Sequence, residues 1–149
     1  MVAAELAESA IPVISTSLIN LPSFETLGVS YENVARMHDA GVQVLLSTFD
    51  THNVRQLRQV AGQAVSYGMP WEEALRAVTA GPAQVFGVGA RVGALVAGME
   101  ADVVVWSGDP FELTTWAERV YINGREIPPD TRQRALFERY RSLEGLPPR

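Results

Sequence analysis

Three blocks between residues 71 and 127 carry the most distinctive pattern in the chain: WEEALRAVTAGPAQVFGV (71–88), RVGALVAGMEADVVVWSGDPFEL (91–113) and RVYINGREI (119–127). The first block predicts a helix that begins near residue 70 or 71, because Pro70 precedes it and acidic residues fill its first turn. Gly81-Pro82 is expected to break this helix, and AQVFG then adds a short further turn.

The second and third blocks predict a small β module. Asn123-Gly124 separates two short strand-like runs, which is a strong signal for a tight hairpin. Turn residues also separate the first run from the second. The predicted strand runs are Ala101–Trp106, Arg119–Ile122 and Glu126–Ile127.

Several turn features of this module are interpreted as structural rather than catalytic. Gly98 permits a turn ahead of the first strand, and Asp102 is placed to accept hydrogen bonds from turn amides. Gly108-Asp109-Pro110 ends the strand with a rigid stop.

Upstream of these blocks, strands and helices alternate. Ile11–Thr16 and Val42–Thr48 are apolar runs that suit strands buried on both faces of a parallel sheet. Helical patterns cover residues 2–9, 33–40 and 53–67, so residues 1–88 read as βα units. Two strands do not make a stable sheet, which indicates that other strands complete it.

The ordered blocks resemble the closing segment of the amidohydrolase superfamily, and the imidazolonepropionase-like branch in particular. That pattern runs from an A-L-x-x-x-T helix through N-P-A and a short helix to G-x-L-x-x-G-x-x-A-D, a G-D-P turn and a final G-R hairpin. Gly81 stands where the pattern has Asn. The resemblance extends over residues 1–127 and leaves the C-terminal helix outside it.

The resemblance implies a fold and a domain division. Residues 1–88 would form the C-terminal part of a (β/α)8 TIM-like barrel, with Ile11–Thr16 as strand seven and Val42–Thr48 as strand eight. Residues 89–127 would supply C-terminal strands of a small β-sandwich. Residues 128–149 would add a terminal helix, with Asp130 as its N-cap, and a frayed tail.

The resemblance also implies a divalent metal, with zinc expected, that acidifies a bound water. In the family that the chain resembles, most metal ligands are His residues on earlier strands, sometimes with a carboxylated Lys or a Glu after strand four, and one Asp follows strand eight. This chain has two His residues, no His-x-His pair and no Lys, so only the strand-eight Asp is available here.

Asp50 is the candidate for both the metal ligand and the catalytic proton acceptor. Strict alignment of hydrophobic-G-T-D with LLSTFD instead places Phe49 at the metal position, and Asp50 one residue later. A shift of one residue along a strand turns a side chain to the opposite face of the sheet. A β-bulge at the end of the strand can return that side chain to the original face. The alternatives are that Asp50 caps the helix that follows, or that the metal site is degenerate.

Three further residues after this strand are candidates for substrate binding: His52, Asn53 and Arg55. Arg55 would suit a substrate carboxylate, which it can bind through two parallel hydrogen bonds. For each of them a capping or solvated surface role is the alternative. The remaining polar and aromatic residues of interest are assigned turn, structural or packing roles: Ser15, Thr16, Ser17, His38, Trp71, Trp106 and Trp116.

Composition limits the partners. The chain of 149 residues has 17 acidic and 12 basic residues, all Arg, for a net charge of −5, which does not suit nucleic acid. No run approaches the roughly 18 to 20 apolar residues of a membrane span. There is no Cys, which excludes disulfides and thiolate metal sites and leaves the compartment open. Glu5 and Glu8 interrupt the apolar N-terminal run, so no signal peptide is expected, and on that ground a cytoplasmic location is expected.

Three functional hypotheses follow from the sequence. The chain is the C-terminal part of an amidohydrolase acting on non-peptide C–N bonds, with a cyclic amide as substrate and no complete active site of its own. Alternatively, it retains the fold without hydrolysis, as a binding or scaffold protein. In the third hypothesis it folds alone as a truncated domain or is one half of a split protein. Its open apolar faces would then favour association with an N-terminal portion or with a second copy.

Overall fold

The computed structural model describes residues 2–17, 24, 28–128 and 131–140. Its first part is an α/β unit and its second a small antiparallel sheet, followed by a helix. The helices are α1 (Ala3–Ser9), α2 (Asn33–Asp39), α3 (Leu57–Ser66), α4 (Trp71–Val78), α5 (Ala80–Val85) and α6 (Arg132–Tyr140), with a 3₁₀ helix over Thr51–Gln56. The strands are β1 (Val13–Ser15), β2 (Val44–Leu46), β3 (Val103–Trp106), β4 (Ala117–Ile122) and β5 (Arg125–Glu126).

The two N-terminal strands pair in parallel, as the sequence predicts, with Val13 opposite Val44 and Ser15 opposite Leu46. Both strands are shorter than the apolar runs that contain them. All three residues of β2 are buried, whereas Ile14 at the centre of β1 is 45% exposed. Within the described residues no third strand joins this sheet.

The core lies between β2 and three helices. Helices α2, α3 and α4 each bury one face against Val44 and Leu46, which point to the same side of the strand. Leu45 points to the other face and is 2% exposed, because α5 covers it. The buried core residues of this cluster are Val34, Ala35, Met37, Val42, Val44, Leu46, Val60, Ala61, Ala64, Met69, Ala74 and Ala77.

Strand β2 pairs with β1 along one edge, and no strand among the described residues pairs with its other edge. The amide of Val13 donates to the carbonyl of Gln43, and the amide of Ser47 donates to that of Ser15. In a parallel ladder alternate residues bond to opposite neighbours. The N–H and C=O groups of Val44 and Leu46 therefore point away from β1, toward the open edge.

Two helix boundaries differ from the sequence-based expectation. The helix predicted over residues 53–67 begins as the 3₁₀ helix at Thr51 and becomes α-helical only at Leu57. The predicted break at Gly81-Pro82 lies instead at Thr79, whose φ of −129° and ψ of −91° interrupt the helix. Pro82 is tolerated because it falls in the first turn of α5, where its missing N–H costs nothing.

Close packing explains why Gly occupies position 81. A Cβ on Gly81 would lie 2.8 Å from the carbonyl oxygen of Arg76 and 3.0 Å from Leu45 Cδ2. Gly81 therefore lets α5 approach both α4 and β2, and its presence in place of Asn is consistent with that fit.

The β module has the predicted hairpin. Strands β4 and β5 pair Ile122 with Arg125, which leaves the two-residue loop Asn123-Gly124. Both loop residues have positive φ, 49° and 73°, as a type I′ turn requires. Asp102 accepts a hydrogen bond from the amide of Asn123 at 2.8 Å, in the hairpin turn between β4 and β5 rather than in the turn just ahead of β3, where its partner was expected.

Helix α3 joins the α/β unit to the β module. The Arg58 guanidinium contacts the backbone carbonyls of Pro110, Glu112 and Thr115 at 2.9–3.1 Å. It also lies over the Trp106 ring, 5.3 Å from its centroid. Three acceptors and an aromatic face around one cation fix this loop on α3.

A second contact reinforces this junction. The Trp71 indole N–H donates to Asp109 Oδ2 at 2.9 Å, and its ring packs on Phe111. A Cβ on Gly62 would lie 2.7 Å from the Phe111 carbonyl oxygen, so α3 approaches the loop closely. The predicted packing roles of Trp71 and Trp106 are confirmed, whereas Trp116 is 64% exposed.

The C-terminal helix is exposed along its described length. Thr131 Oγ1 accepts a hydrogen bond from the amide of Arg134 and so caps α6. Asp130, the predicted cap, lies outside the described residues, as do the tail from residue 141 and most of the loop 18–27. Nowhere in the described ranges is a helix long and apolar enough to cross a membrane.

We predict that Arg58→Met destabilises the chain by about 2 kcal/mol, because it leaves several carbonyls without their charged donor. Urea unfolding followed by tryptophan fluorescence measures this difference. Arg134→Met on the exposed helix α6 is the control and is expected to change stability by less than about 0.5 kcal/mol. Equal effects of the two substitutions would contradict the proposed role of Arg58.

Candidate functional site

The candidate site lies at the carboxyl-terminal edge of the parallel pair. Because β1 and β2 run in the same direction, the residues after Ser15 and after Leu46 emerge at the same edge. The segment STFDTHN (47–53) follows β2 and leads into the 3₁₀ helix.

Short-range hydrogen bonds shape the first part of this segment. The amide of Phe49 donates to Ser47 Oγ at 3.0 Å, and Thr48 Oγ1 donates to the carbonyl of Asp50 at 3.0 Å. Phe49 itself has a φ of 52°, in the left-handed region, and is 65% exposed. The chain therefore turns sharply at Phe49 rather than continuing as a strand.

Asp50 follows in an extended conformation and caps the 3₁₀ helix. Its Oδ1 accepts from the amide of His52 and its Oδ2 from Asn53 Nδ2, both at 2.8 Å. The capping role weighed from the sequence is thus present. Because a carboxylate has about four acceptor positions, these two bonds leave capacity for a further ligand.

The three predicted substrate-binding residues lie on the same short helix. Asn53 is tied to Asp50 through its side chain, whereas His52 contacts Asp50 only through its backbone amide. His52 and Arg55 are both exposed residues. The structure therefore brings Asp50 and Asn53 into direct contact and places His52 and Arg55 beside them, and it leaves their functions as predictions.

Ser17, which follows β1, anchors the end of that strand to helix α3. Ser17 is 2% exposed, and its hydroxyl donates to the carbonyl of Val60 in α3 at 2.6 Å. That bond fixes the end of β1 against α3, which is a long-range contact rather than the turn role expected from the sequence. Ser17 has no hydroxyl hydrogen left to offer a substrate.

His38 lies elsewhere. It lines a cleft of about 390 Å³ whose other walls come from residues 41–45 at the start of β2 and from Glu73 and Arg76 of α4. This cleft is at the opposite end of β2 from Asp50.

A sequence profile described as the amidohydrolase family matches residues 4–127 of the chain. The chain belongs to the amidohydrolase family. The match ends where the β module ends and excludes α6, as the sequence pattern had suggested.

Two individual amidohydrolases are similar to this chain. Amidohydrolase tasK from Hapsidospora irregularis is 34% identical over 89 residues, which is 59% of this chain and 9% of that protein. The crystal structure of an amidohydrolase from Thermotoga maritima MSB8 superposes with a TM-score of 0.76 at 34% identity, over 85% of this chain and 33% of that one. The chain therefore spans only a minor part of the length of either relative.

Amidohydrolases are generally metal-dependent, and a metal site needs several His, Cys, Asp or Glu side chains close together. No group of three or more His, Cys, Asp or Glu residues able to hold a metal occurs among the described residues. Asp50 has spare acceptor capacity at the exposed edge of the sheet, so it fits one ligand position. The described residues therefore offer one candidate ligand, Asp50, and no group of three that could hold a metal.

Sequence reasoning missed the residues that hold the turn of this amidohydrolase. Ser47 and Thr48 were assigned to the end of the strand, yet their hydroxyls bond to Phe49 and Asp50. The signal was present, because Ser and Thr often bond to backbone groups two residues ahead. The left-handed conformation of Phe49 had no such signal, since aromatic residues rarely adopt it.

We predict that Asp50→Ala lowers the free energy of unfolding by about 1 kcal/mol, because it removes the cap of the 3₁₀ helix. Asp50→Asn is expected to cost only a few tenths of a kcal/mol, since Asn caps helices about as well as Asp. Thermal and urea unfolding of both variants measure the difference. Similar losses for Ala and Asn would show that the negative charge, rather than the cap, stabilises this segment.

Proposed function

We propose that this chain is the C-terminal part of a metal-dependent amidohydrolase of the imidazolonepropionase-like branch, which hydrolyses a non-peptide C–N bond of a cyclic amide. The observation that carries the proposal is the position of Asp50. Its carboxylate stands at the carboxyl-terminal edge of β2, where parallel α/β folds hold their active sites. The family membership of the chain supports hydrolysis as the reaction.

In this proposal the Asp50 carboxylate transfers a proton from the attacking water to the leaving nitrogen. A divalent metal, which we propose to be zinc, would supply Lewis acidity and lower the pKa of water at the site. One Asp50 carboxylate oxygen accepts the proton of the attacking water and then returns it to the leaving nitrogen. The bonds from the His52 amide and from Asn53 hold the carboxylate in one orientation for both steps.

Neighbouring residues would bind the substrate. His52 and Arg55 are exposed on the turn that follows Asp50, within reach of a ligand at this edge. Arg55 offers a fork of N–H donors that matches a substrate carboxylate. Asn53 offers its remaining amide hydrogen in addition to holding Asp50.

The remaining ligands and strands would come from further polypeptide. We propose that β1 and β2 are strands seven and eight of a (β/α)8 barrel, and that β3, β4 and β5 are part of a β-sandwich. The open edge of β2 and the exposed Ile14 of β1 support this, because both would be covered in a closed barrel. An N-terminal portion would supply the other strands, with self-association as the alternative, in a cytoplasmic protein; the isolated chain would be inactive.

Phe49 favours a second candidate function. It occupies the position that strict alignment gives to the metal-binding Asp, while Asp50 is engaged in capping. A protein that keeps the fold and binds a ligand without hydrolysing it would tolerate both features.

Substitution of Asp50 in the longest natural polypeptide that contains this sequence separates the two functions. Asp50→Asn retains the cap and removes the charge, so we expect a loss in kcat/KM of roughly a hundredfold or more on a cyclic amide. Zinc content, measured by mass spectrometry of the purified protein, should fall as well. Asp39→Asn, at an exposed position on α2, is the control and should leave both unchanged.

Two results would count against hydrolysis through Asp50. Full activity of the Asp50→Asn protein would remove Asp50 from the reaction. A wild-type protein that hydrolyses no cyclic amide and binds no stoichiometric zinc would favour the binding or scaffold function instead.

A further inference from the structure

Phe49 is the one residue of the candidate edge whose conformation has no local explanation. Three non-glycine residues among those described have positive φ: Ala10, Phe49 and Asn123. Ala10 ends helix α1, a position where the left-handed conformation is common. Asn123 begins the Asn-Gly turn, for which Asn is a preferred residue. Phe49 is aromatic and fits neither case.

Burial does not offset the strain at Phe49. The residue is 65% exposed, so its ring gains little from the core of this chain. A Gly or Asn at this position would adopt the same backbone conformation at lower energy. The fold alone therefore favours another residue here, and strained residues that persist cluster at ligand-binding sites.

The surrounding hydrogen bonds hold the backbone of the turn that carries the ring. Ser47 Oγ accepts from the Phe49 amide on one side, and the Thr48 hydroxyl bonds to the Asp50 carbonyl across it. Asp50 is in turn fixed by the amide of His52 and the side chain of Asn53. An aromatic ring on a turn anchored on both sides is preorganised for contact, which reduces the entropy that binding would cost.

We propose that Phe49 is a specificity-determining residue, whose ring contacts an aromatic substituent of the substrate beside the group that Asp50 acts on. The residues that flank the ring are polar, so Phe49 gives this edge an apolar surface next to a carboxylate. Such a surface recognises a planar apolar group by stacking and desolvation. The identity of the ligand as an amide rests on the proposed function; the aromatic contact rests on Phe49 itself.

A matched pair of lactams tests this inference: 5-phenyl-2-pyrrolidinone and 2-pyrrolidinone, which differ only in the phenyl group. Dissociation constants for both are measured by calorimetry on the longest natural polypeptide that contains this sequence. We expect the wild type to prefer the phenyl lactam by roughly three- to tenfold, the range of an aromatic pair. Phe49→Tyr keeps the ring and should keep the ratio.

Two variants remove the ring without straining the turn. Phe49→Gly and Phe49→Asn both accept the left-handed conformation, so each should unfold at or above the wild-type temperature while the ratio falls toward one. Ala10→Gly changes another left-handed position, far along the chain from the site, and is the control that should leave the ratio unchanged.

The outcomes separate this inference from the proposed function. An unchanged ratio in the folded Gly and Asn variants, or equal or undetectable binding of the two lactams by the wild type, would overturn it. Hydrolysis of either lactam in those same samples would still support the proposed function. Loss of the ratio without any hydrolysis would support the aromatic contact and contradict the hydrolase.

Discussion

The whole arrangement depends on the burial of β2 with a hydrogen-bonded partner on one side only. Val44 and Leu46 pack against α2, α3 and α4, and Leu45 packs under α5, so both faces of the strand are covered. The strand has β1 along one edge and no partner along the other among the described residues. Unpaired backbone groups beside a buried strand are costly, and in the proposed barrel a further strand would pair with them.

The position of β2 also fixes the chemistry at its end. The strand delivers the chain to the turn at Phe49, and the turn decides which way Asp50 faces. A shift of one residue along a regular strand would turn Asp50 away from the position expected for the metal ligand. Because the strand has already ended and the backbone is left-handed at Phe49, strand alternation does not determine the direction of the Asp50 side chain.

The sequence predicted the elements whose cause is local. Asn123-Gly124 specifies its own turn, and the apolar run around β2 specifies a buried strand. It did not predict features set by tertiary contacts. The Arg58 contacts join helix α3 to a loop more than fifty positions further along the chain, and Gly81 of α5 lies close to Leu45 of β2, from a distant part of the sequence.

The candidate site was predictable in composition but not in geometry. The residues that follow β2 were identified from their order in the sequence, and the family match confirms the context in which they were read. The sequence alone could not decide whether Asp50 caps the helix or binds the metal, because Asp is favoured in both roles. Its two hydrogen bonds show that it is a cap and leave its catalytic role as a proposal.

Residue-level hydrogen exchange at β2 tests the central claim that this strand is completed by a further strand along its open edge. The parallel ladder turns the Leu45 amide toward β1 and the amides of Val44 and Leu46 toward the open edge. In the 149-residue chain, we expect Leu45 to be protected and its two neighbours to exchange much faster. In the longest natural polypeptide that contains this sequence, all three should be protected. Fast exchange of Val44 and Leu46 in that longer protein, or equal protection of all three in the chain alone, would contradict the account.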